Sequence, residues 1–511
     1  MSAYGSPAGR LTRPGYVRSG TAALAPGWGG EDAAPAGKRF PWKNRAAPSS
    51  RVHRLSEELR IVSTAPDIPA SPAASVRRFV INDNGAWCWF QDERALVDPA
   101  ARRLVVGTVA APDGADGDRR SGNLELTVVD LDSGDTEIVV LHEAFEADDH
   151  NVPALWRRRD GRWLAMYAKH KTDDLLLWRI SEVDDPTRWG PANFFDWSEL
   201  TGGRGVTYAN IHESDGRLWC FTRAINDDQC ALVSDDDGNT WSFAGKLFTH
   251  PKVGYVNGYT RYASRDGRID LVTTDHHPRD FDNSIYHGYL QDGRLHRSDG
   301  SVLDARALSG DAPSQVGLTT VLAAGSVVGD AELTHAWTSD IRTSADGTIV
   351  ATLTARGDDV LETPEDAYER MRPVLDHRFV YARLAPGGSW QVHHLARAGA
   401  GLLPHEQDYT GLAAIDPYDL DTVYISTRFD PRSDVETSHH EIYRGHTVDG
   451  GASWTWTAVT ADSTVDNLRP IVAPGDPDTI ALLWFRGDMS ASQHYRCEVV
   501  LQVEPRSPAT R

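Results

Sequence analysis

Short apolar runs separated by turn residues dominate the chain from Phe79 onward. The runs are rich in Val, Ile, Leu, Trp, Tyr and Thr, and most are too short for a helix. The turns are mostly Asp-Gly, a pair that supplies the positive φ angles that tight hairpins require. The pattern predicts an all-β protein. Eight such pairs mark the expected strand reversals: Asp113-Gly114, Asp160-Gly161, Asp215-Gly216, Asp237-Gly238, Asp266-Gly267, Asp292-Gly293, Asp346-Gly347 and Asp449-Gly450.

The number of strands in this pattern exceeds what a β-sandwich uses, whereas a propeller repeats four-stranded blades. Dividing roughly 430 residues into blades of about 45 to 60 residues gives about seven to nine blades. We favour seven and predict a seven-bladed β-propeller over residues 76–505. One helical insertion is expected near Glu362 to Arg372.

Residues 1–75 differ from this pattern, because they are rich in Pro, Gly, Ala and Arg. We predict that they form a disordered leader. The first thirty residues lack the apolar core of a signal peptide, and no stretch reaches the ~20 apolar residues of a membrane helix. As written, the sequence predicts a cytoplasmic protein without a membrane partner. A start site placed too far upstream would be compatible with secretion.

Two segments repeat a folding motif, S/T-x-D-x-G-x-T/S-W, known as the Asp-box. In this motif the Asp and hydroxyl side chains bind the backbone of their own turn, Gly takes the left-handed conformation and Trp packs into the blade. We therefore expect a structural role for both segments. Their residues are Ser234, Asp236, Gly238, Thr240 and Trp241 in the first, and Thr447, Asp449, Gly451, Ser453 and Trp454 in the second.

The charge balance limits the kinds of molecule that the protein is expected to bind. With 73 acidic and 52 basic residues, the formal net charge is -21, which argues against nucleic acid or an anionic membrane surface. An acidic sugar is compatible with this charge, since a few arginines focused in one cleft outweigh the global field locally. The four cysteines are too sparse for a disulfide framework. We expect a monomer.

The segment 148–170 is predicted to form a hairpin that brings two histidines together. Counting outward from a two-residue turn at Asp160-Gly161 places His150 opposite Lys171 and next to His170. In the next hairpin, the same counting from a turn at residues 215–216 places Tyr208 opposite Arg223. If both hairpins open on one face in neighbouring blades, two imidazoles, a phenol and a guanidinium converge there.

These four groups match the needs of β-elimination at a uronate. The reaction requires a cation for the carboxylate, a base for the C5 proton and an acid for the leaving O4. We assign Arg223 to the carboxylate, His150 and Tyr208 to the base and acid in either order, and His170 to positioning or polarising the substrate. A structural explanation stays open for each, because hydrogen-bonded histidines at strand ends and Tyr–Arg packing pairs are common.

The sequence resembles the BNR-repeat polysaccharide lyases, seven-bladed propellers that include ulvan lyases and rhamnose-glucuronate lyases. The resemblance extends over most of the predicted propeller. It rests on residues 85–92, 147–155, 167–170, 207–210, 274–279, 283–289 and 466–472.

The resemblance implies a carbon-oxygen lyase that cleaves a uronate next to rhamnose and needs no cofactor. It places the same four roles on His150, His170, Tyr208 and Arg223, and it adds substrate-binding roles for Tyr259, Asn151 and Asn210. It also allows a structural metal ion. Candidate ligands are His250, His276, His277 and Cys230, but their spacing is not compact and assigns no metal site.

Two other functions are weighed against the lyase. A sialidase-like glycoside hydrolase is suggested by the Asp-boxes, but the Arg-Ile-Pro segment of such enzymes is absent from the sequence. A non-catalytic glycan-binding propeller would use Trp and Tyr rings as stacking platforms. The expected partner in all three cases is an acidic poly- or oligosaccharide or a related glycan.

Overall fold

The computed structural model describes residues 76–251, 257–358, 374–403 and 406–506. The predicted leader 1–75 and the helical insertion near Glu362 to Arg372 lie outside the described residues. Within them, seven antiparallel sheets succeed one another along the chain, and the fold is the predicted seven-bladed β-propeller. No helix among the described residues is long and apolar enough to cross a membrane.

The first described strand belongs to the last blade, and the strands that follow build the other blades in order. Strand β1 is Arg77–Asn82. Blade 1 contains β2 to β5: Ala95–Asp98, Arg103–Val109, Leu124–Asp130 and Thr136–His142. Blade 2 contains β6 to β10: Ala154–Arg157, Trp163–Ala168, Leu175–Glu182, Asp185–Trp189 and Asn193–Asp196. Blade 3 contains β11 to β14: Thr207–Ser214, Arg217–Arg223, Gln229–Ser234 and Ser242–Lys246.

The middle blades carry additional short strands. Blade 4 contains β15 to β20: Thr260–Arg265, Arg268–Thr274, Ile285–Gln291, Arg294–Arg297, Val302–Asp304 and Thr319–Leu322. Blade 5 contains β21 to β25: Ser326–Val328, Ala331–Thr343, Ile349–Arg356, His377–Leu384 and Gln391–Gly399.

The last two blades lead back to the start of the chain. Blade 6 contains β26 to β29: Ala413–Asp416, Asp419–Asp430, Val435–His446 and Thr455–Ala458. Blade 7 contains β30 to β32: Asp466–Val472, Thr479–Ala491 and His494–Pro505. The described helices are short: α1 (Gly117–Arg120), α2 (Ser198–Thr201) and the 3-10 turns Asp149–Asn151, Ile225–Asp227 and Gln315–Gly317.

Strand β1 closes the ring by pairing with β32 as the outer strand of blade 7, with Phe79 opposite Leu501. The ends of the propeller are therefore joined by backbone hydrogen bonds. The inner strands of successive blades contact one another, and large aromatic side chains such as Trp87, Trp89 and Trp337 are fully buried. The inner ends of the blades therefore lie close enough for residues from several blades to form one site.

All eight Asp-Gly pairs lie between two successive antiparallel strands, as the sequence predicts. At Asp215-Gly216, Asp266-Gly267 and Asp292-Gly293 both residues have positive φ, the signature of a two-residue turn. The connecting loop is longer at the two Asp-boxes and at Asp113-Gly114, which lies within residues 110–123 together with α1. The predicted strand reversal is present at Asp113-Gly114 as well, because β3 pairs antiparallel with β4.

The predicted pairing of His150 with Lys171 is wrong by one residue. The ladder pairs Ala154 with Met166, and Arg158 donates its backbone N–H to the carbonyl of Arg162 at 2.8 Å. The turn therefore has three residues, with only Gly161 at positive φ (84°), as in a type I turn with a bulge. This register points His150 toward His170.

The predicted pairing of Tyr208 with Arg223 is also wrong by one residue. Thr207 pairs with Arg223, while Asn210 pairs with Phe221, so the register shifts between them. The extra residue is accommodated in a bulge at which Tyr208 has φ 69°. The bulge changes the direction of the Tyr208 side chain relative to a regular strand.

Both Asp-boxes form the expected turns. In the first, the Asp236 carboxylate accepts hydrogen bonds from the Thr240 backbone N–H (2.9 Å) and hydroxyl (2.7 Å), and the Gly238 N–H donates to the Ser234 hydroxyl. Gly238 has φ 86°, a conformation that suits a residue without Cβ. In the second, Asp449 binds Ser453 in the same way, and Trp454 packs on Tyr381 at 5.1 Å between ring centroids.

Candidate active site

His150 is held by the turn that precedes β6. Asp148 caps the 3-10 turn Asp149–Asn151 by accepting the backbone N–H of His150 at 2.9 Å. The same carboxylate lies 2.7 Å from the ring Nδ1 of His150, and an oxygen of Asp149 lies 2.8 Å from that nitrogen. His150 is 5% exposed. Two carboxylates therefore fix the Nδ1 edge of a buried imidazole.

His170 lies two residues beyond the end of β7 and stacks on His150. The ring centroids are 3.8 Å apart and the planes differ by 10°. The Nδ1 of His170 lies 3.2 Å from the other oxygen of Asp148. The sequence prediction that these two histidines meet is confirmed, and one carboxylate binds both rings.

Tyr208 adds a phenol beside the two imidazoles. Its ring centroid lies 5.9 Å from that of His150 and 6.5 Å from that of His170. Its hydroxyl is buried and makes no hydrogen bond to any part of the chain that the structure describes. The positive φ of a bulky residue is a strained conformation of the kind that clusters at functional sites.

Arg223 ends β12 and lies between two tyrosine rings. Its guanidinium carbon is 4.8 Å from the ring centroid of Tyr208 and 4.3 Å from that of Tyr259. Its Nε and Nη2 are buried and have no hydrogen-bond partner within residues 76–251, 257–358, 374–403 and 406–506. An unpaired buried charge is costly. The guanidinium is thus suited to an incoming anion that accepts two parallel hydrogen bonds.

Tyr259 completes the wall opposite Tyr208. It packs on Trp337 at 4.7 Å and on His277 at 5.1 Å between ring centroids. Tyr208, Arg223 and Tyr259 line one pocket, together with Phe90, Asn210, Phe221, Thr222, Gln229, Thr260 and Tyr262. Aromatic rings around one cation are a fitting environment for a sugar ring that carries a carboxylate.

The two histidines differ in their protonation. Burial disfavours the charged form of His150, but the neighbouring Cys88, Asp148 and Asp149 together outweigh it and raise the pKa well above its ordinary value. Burial and the positive charge of His150 lower the pKa of His170 to about 4. Burial also raises the pKa of Tyr208 well above 10. At neutral pH the site therefore holds one imidazolium, one neutral imidazole and one neutral phenol.

The two predicted asparagines lie in different surroundings. Asn210 lines the pocket, and its side-chain oxygen accepts hydrogen bonds from Asp92 N and Arg94 Nη2, each at 3.2 Å. Asn151 is fully buried and donates to the backbone and side chain of Glu146. Both amides have internal partners, and their predicted roles in substrate binding stay predictions.

Sequence reasoning missed residues that hold the histidines. Asp148 and Asp149 directly precede His150, and their capping position was the available signal. Gln493 donates from its side chain to Asp148, and it lies in the turn between β31 and β32 of blade 7. Nothing in the local sequence indicates this contact, because it depends on closure of the ring.

The four candidate metal ligands do not form one cluster. His250 and His276 lie close, with their Nε2 atoms 3.3 Å apart, and Asp275 joins them in a group whose geometry suits a metal ion. His277 instead packs against Tyr259, and the thiol of Cys230 donates to the carbonyl of Asp228. The donor set of two imidazoles and a carboxylate fits a divalent transition metal such as zinc.

The seven closed blades and the two Asp-boxes define a BNR-type propeller. The sequence profile of the family described as "BNR repeat-containing family member" matches residues 118–398, and the chain belongs to this family. No curated protein matches the chain.

Solved structures of the same fold include two lyases. An ulvan lyase of polysaccharide lyase family PL25, solved bound to GlcA(1-4)Rha3S, is 12% identical and has a TM-score of 0.56; the match covers 85% of this chain and 98% of that chain. The polysaccharide lyase Uly1 is 11% identical with a TM-score of 0.51, and the match covers 85% and 99%. At these identities the likeness establishes the fold.

Proposed function

We propose that this protein is a polysaccharide lyase that cleaves a uronate-containing glycan by β-elimination. The observation that carries the proposal is the buried Arg223 guanidinium, whose Nε and Nη2 have no partner within the described residues and which lies between Tyr208 and Tyr259. A uronate carboxylate matches this planar fork in charge and geometry. The stacked histidines lie beside the same tyrosine.

Arg223 would neutralise the uronate carboxylate. Removal of the C5 proton places negative charge on the carboxylate, so a fixed cation beside it stabilises the transition state. The guanidinium is stacked between the rings of Tyr208 and Tyr259, which fixes the direction of its planar fork. Lysine would supply the charge without the planar fork.

The proton transfers fall to the imidazole pair and Tyr208. The C5 proton moves to the Nε2 of an imidazole, and the C5–H electron pair forms the C4–C5 double bond as the C4–O4 bond breaks. The leaving O4 takes a proton from the Tyr208 hydroxyl. A phenol with a raised pKa is protonated at rest and suits the acid. The neutral ring of the pair, His170, offers the lone pair and takes the role of base in place of His150, whose raised pKa keeps it protonated. No cofactor takes part in these steps.

The substrate class follows from the carboxylate and from the relatives. We propose a glucuronate or iduronate linked to rhamnose, in an acidic poly- or oligosaccharide. The related ulvan lyase was solved with GlcA(1-4)Rha3S, which supports a substrate of this type. The aromatic walls formed by Tyr208 and Tyr259 would stack on the faces of the sugar ring.

Ultraviolet absorbance during incubation with ulvan, gum arabic and other uronate glycans tests the proposal, because the unsaturated uronate product absorbs where the substrate does not. We expect a rise with the wild type that disappears in His150→Ala and Arg223→Ala. Matched controls are His494→Ala and Arg188→Ala, whose side chains are 60% and 69% exposed and which should retain the rise. Release of reducing sugar without absorbance would instead indicate a hydrolase, and binding without turnover a glycan-binding module.

A further inference from the structure

We propose that Asp148 is a positioning residue that fixes the tautomers of His150 and His170 and makes the two rings unequal. The inference rests on the proposed function only where it predicts turnover. The hydrogen bonds around the Asp148 carboxylate are the observations that support this inference.

The Asp148 carboxylate is the acceptor at the centre of the pair. One oxygen accepts the backbone N–H of His150 at 2.9 Å and lies 2.7 Å from its Nδ1. The other oxygen lies 3.2 Å from Nδ1 of His170 and also accepts the side-chain amide of Gln493. Asp148 is 5% exposed, so these four donors occupy most of the positions at which a carboxylate accepts.

This geometry determines the tautomers. A carboxylate only accepts hydrogen bonds, so Nδ1 of each ring must carry a proton. The Nε2 of a neutral ring held in this way has a free lone pair and lies on the opposite edge, away from Asp148. Asp148 thereby presents the Nε2 edges of both histidines for proton exchange.

The same geometry makes the rings unequal. Two stacked cations 3.8 Å apart would repel strongly in a buried site. His150 lies within 2.8 Å of an oxygen of both Asp148 and Asp149, whereas His170 contacts Asp148 alone, at 3.2 Å. The proton therefore resides on His150, in agreement with its raised pKa and the lowered pKa of His170.

Other charged and titratable groups face the pair from the neighbouring elements. Arg223 disfavours a second positive charge on His170. Tyr495 of β32 faces the two aspartates. The remaining groups around His150 are Cys88, Tyr208, Tyr259, His277, Glu406 and Tyr409. None of these groups hydrogen-bonds to both rings within the described residues, so Asp148 alone couples them.

Blade 7 holds Asp148 in place. Ladder pairing of β31 with β32 ends at Ala491 and His494, and the two residues between them reach the His150 turn. The Ser492 carbonyl accepts the backbone N–H of Asp149 at 3.0 Å, and Gln493 donates to Asp148. The blade that closes the ring thus fixes the carboxylate that orients the histidines.

Nitrogen-15 NMR of the full chain, labelled at the histidine rings, tests the proposal without substrate. Signals are assigned by their loss in His150→Asn and His170→Asn. At neutral pH we expect both nitrogens of His150 to be protonated, and His170 to be protonated at Nδ1 alone. In Asp148→Asn the pKa of His150 should fall, because a neighbouring negative charge is lost. Gln493→Ala removes a hydrogen-bond donor to Asp148 and leaves the carboxylate more basic, so the same signals should shift by less and in the opposite direction.

Unchanged His150 and His170 signals in Asp148→Asn would overturn the proposal, as would a wild-type His170 protonated at Nε2. If Asp148→Asn does not fold, the proposal is tested by the protonation pattern of the wild-type histidines and by the shifts of their signals in Gln493→Ala. Turnover is measured separately by steady-state kinetics. Asp148→Asn should lower kcat by about 10²- to 10⁴-fold, change KM by less, and shift the pH profile of the rate. Altered NMR signals in a protein without lyase activity would support the role of Asp148 and reject the proposed function.

Discussion

The rings of His150 and His170 stack with centroids 3.8 Å apart and planes 10° apart. Two stacked imidazoles that share one carboxylate differ in protonation, so their replacement should have different effects. His170→Ala removes the neutral ring and should lower kcat by about 10²- to 10⁴-fold, with a folded, substrate-binding protein. Steady-state kinetics with a uronate glycan checks this. A kcat unchanged in His170→Ala would assign proton abstraction to another group.

Replacement of Arg223 separates charge from geometry. Arg223→Lys keeps a cation but loses the planar fork that lies between Tyr208 and Tyr259. We expect a large loss in kcat/KM for Arg223→Lys and a larger one for Arg223→Ala. Calorimetric titration with an uncleaved uronate oligosaccharide should show weaker binding in both. Equal affinity of Arg223→Ala and the wild type would contradict a role in carboxylate binding.

Tyr208→Phe removes a hydroxyl that has no partner among the described residues. The free energy of unfolding should therefore change by less than about 1 kcal/mol, while kcat should fall by about 10²- to 10⁴-fold if the phenol protonates O4. Chemical denaturation and kinetics on the same preparation measure both. A substrate with a better leaving group at O4 should recover part of the lost rate, and failure to recover it would argue for another acid.

The pKa of His170 predicts the acidic limb of the rate profile. Its value in the folded protein is about 4 instead of the ordinary 6.5, so the ring stays neutral and the rate should stay flat as pH falls through 6.5. The unfolded chain takes up this proton at higher pH, so His170 lowers stability as pH falls from 6.5 toward 4. His150 acts in the opposite sense, because its raised pKa stabilises the fold below 6.5. A rate that halves near pH 6.5 would contradict a neutral His170.

The first Asp-box should contribute to stability and not to turnover. Asp236→Ala removes the acceptor of the Thr240 backbone N–H and hydroxyl, and should cost about 1 kcal/mol. The neighbouring Asp235→Ala, which removes an exposed carboxylate whose ion pair with Arg217 lies on the surface, is the control and should change the unfolding midpoint by less. Thermal denaturation measures both variants. A loss of kcat in Asp236→Ala at full stability would reject the structural role.

Local turn chemistry predicted most of the fold. Asp-Gly pairs such as Asp266-Gly267 adopt positive φ at both residues, and this conformation identifies a hairpin without tertiary information. The same rule failed at Asp160-Gly161, where only the glycine has positive φ. The register of β6 and β7 therefore differs from the predicted one by one residue. Turn length is set by backbone geometry that Asp-Gly alone does not specify.

The site was predicted in part. The convergence of His150, His170, Tyr208 and Arg223 followed from hairpin counting, although the first register was one residue off and the second, correct from the turn to Asn210, shifts by one at the Tyr208 bulge. The bulge at Tyr208, where the Thr222 hydroxyl donates to the carbonyls of Thr207 and Tyr208, cannot be read from the turn residues alone. The contact from Gln493 to Asp148 joins residues 345 positions apart, and it exists only because β1 and β32 close the propeller.

The most direct test of the central claim is mass spectrometry of the products formed from a uronate glycan in ¹⁸O-labelled water. Elimination by Arg223, Tyr208 and the imidazole pair breaks the C4–O4 bond without consuming water. The account predicts an unsaturated uronate, lighter by one water than the hydrolysis product and free of solvent oxygen from the cleavage step. A saturated product that carries one solvent oxygen would contradict it and would identify the protein as a hydrolase.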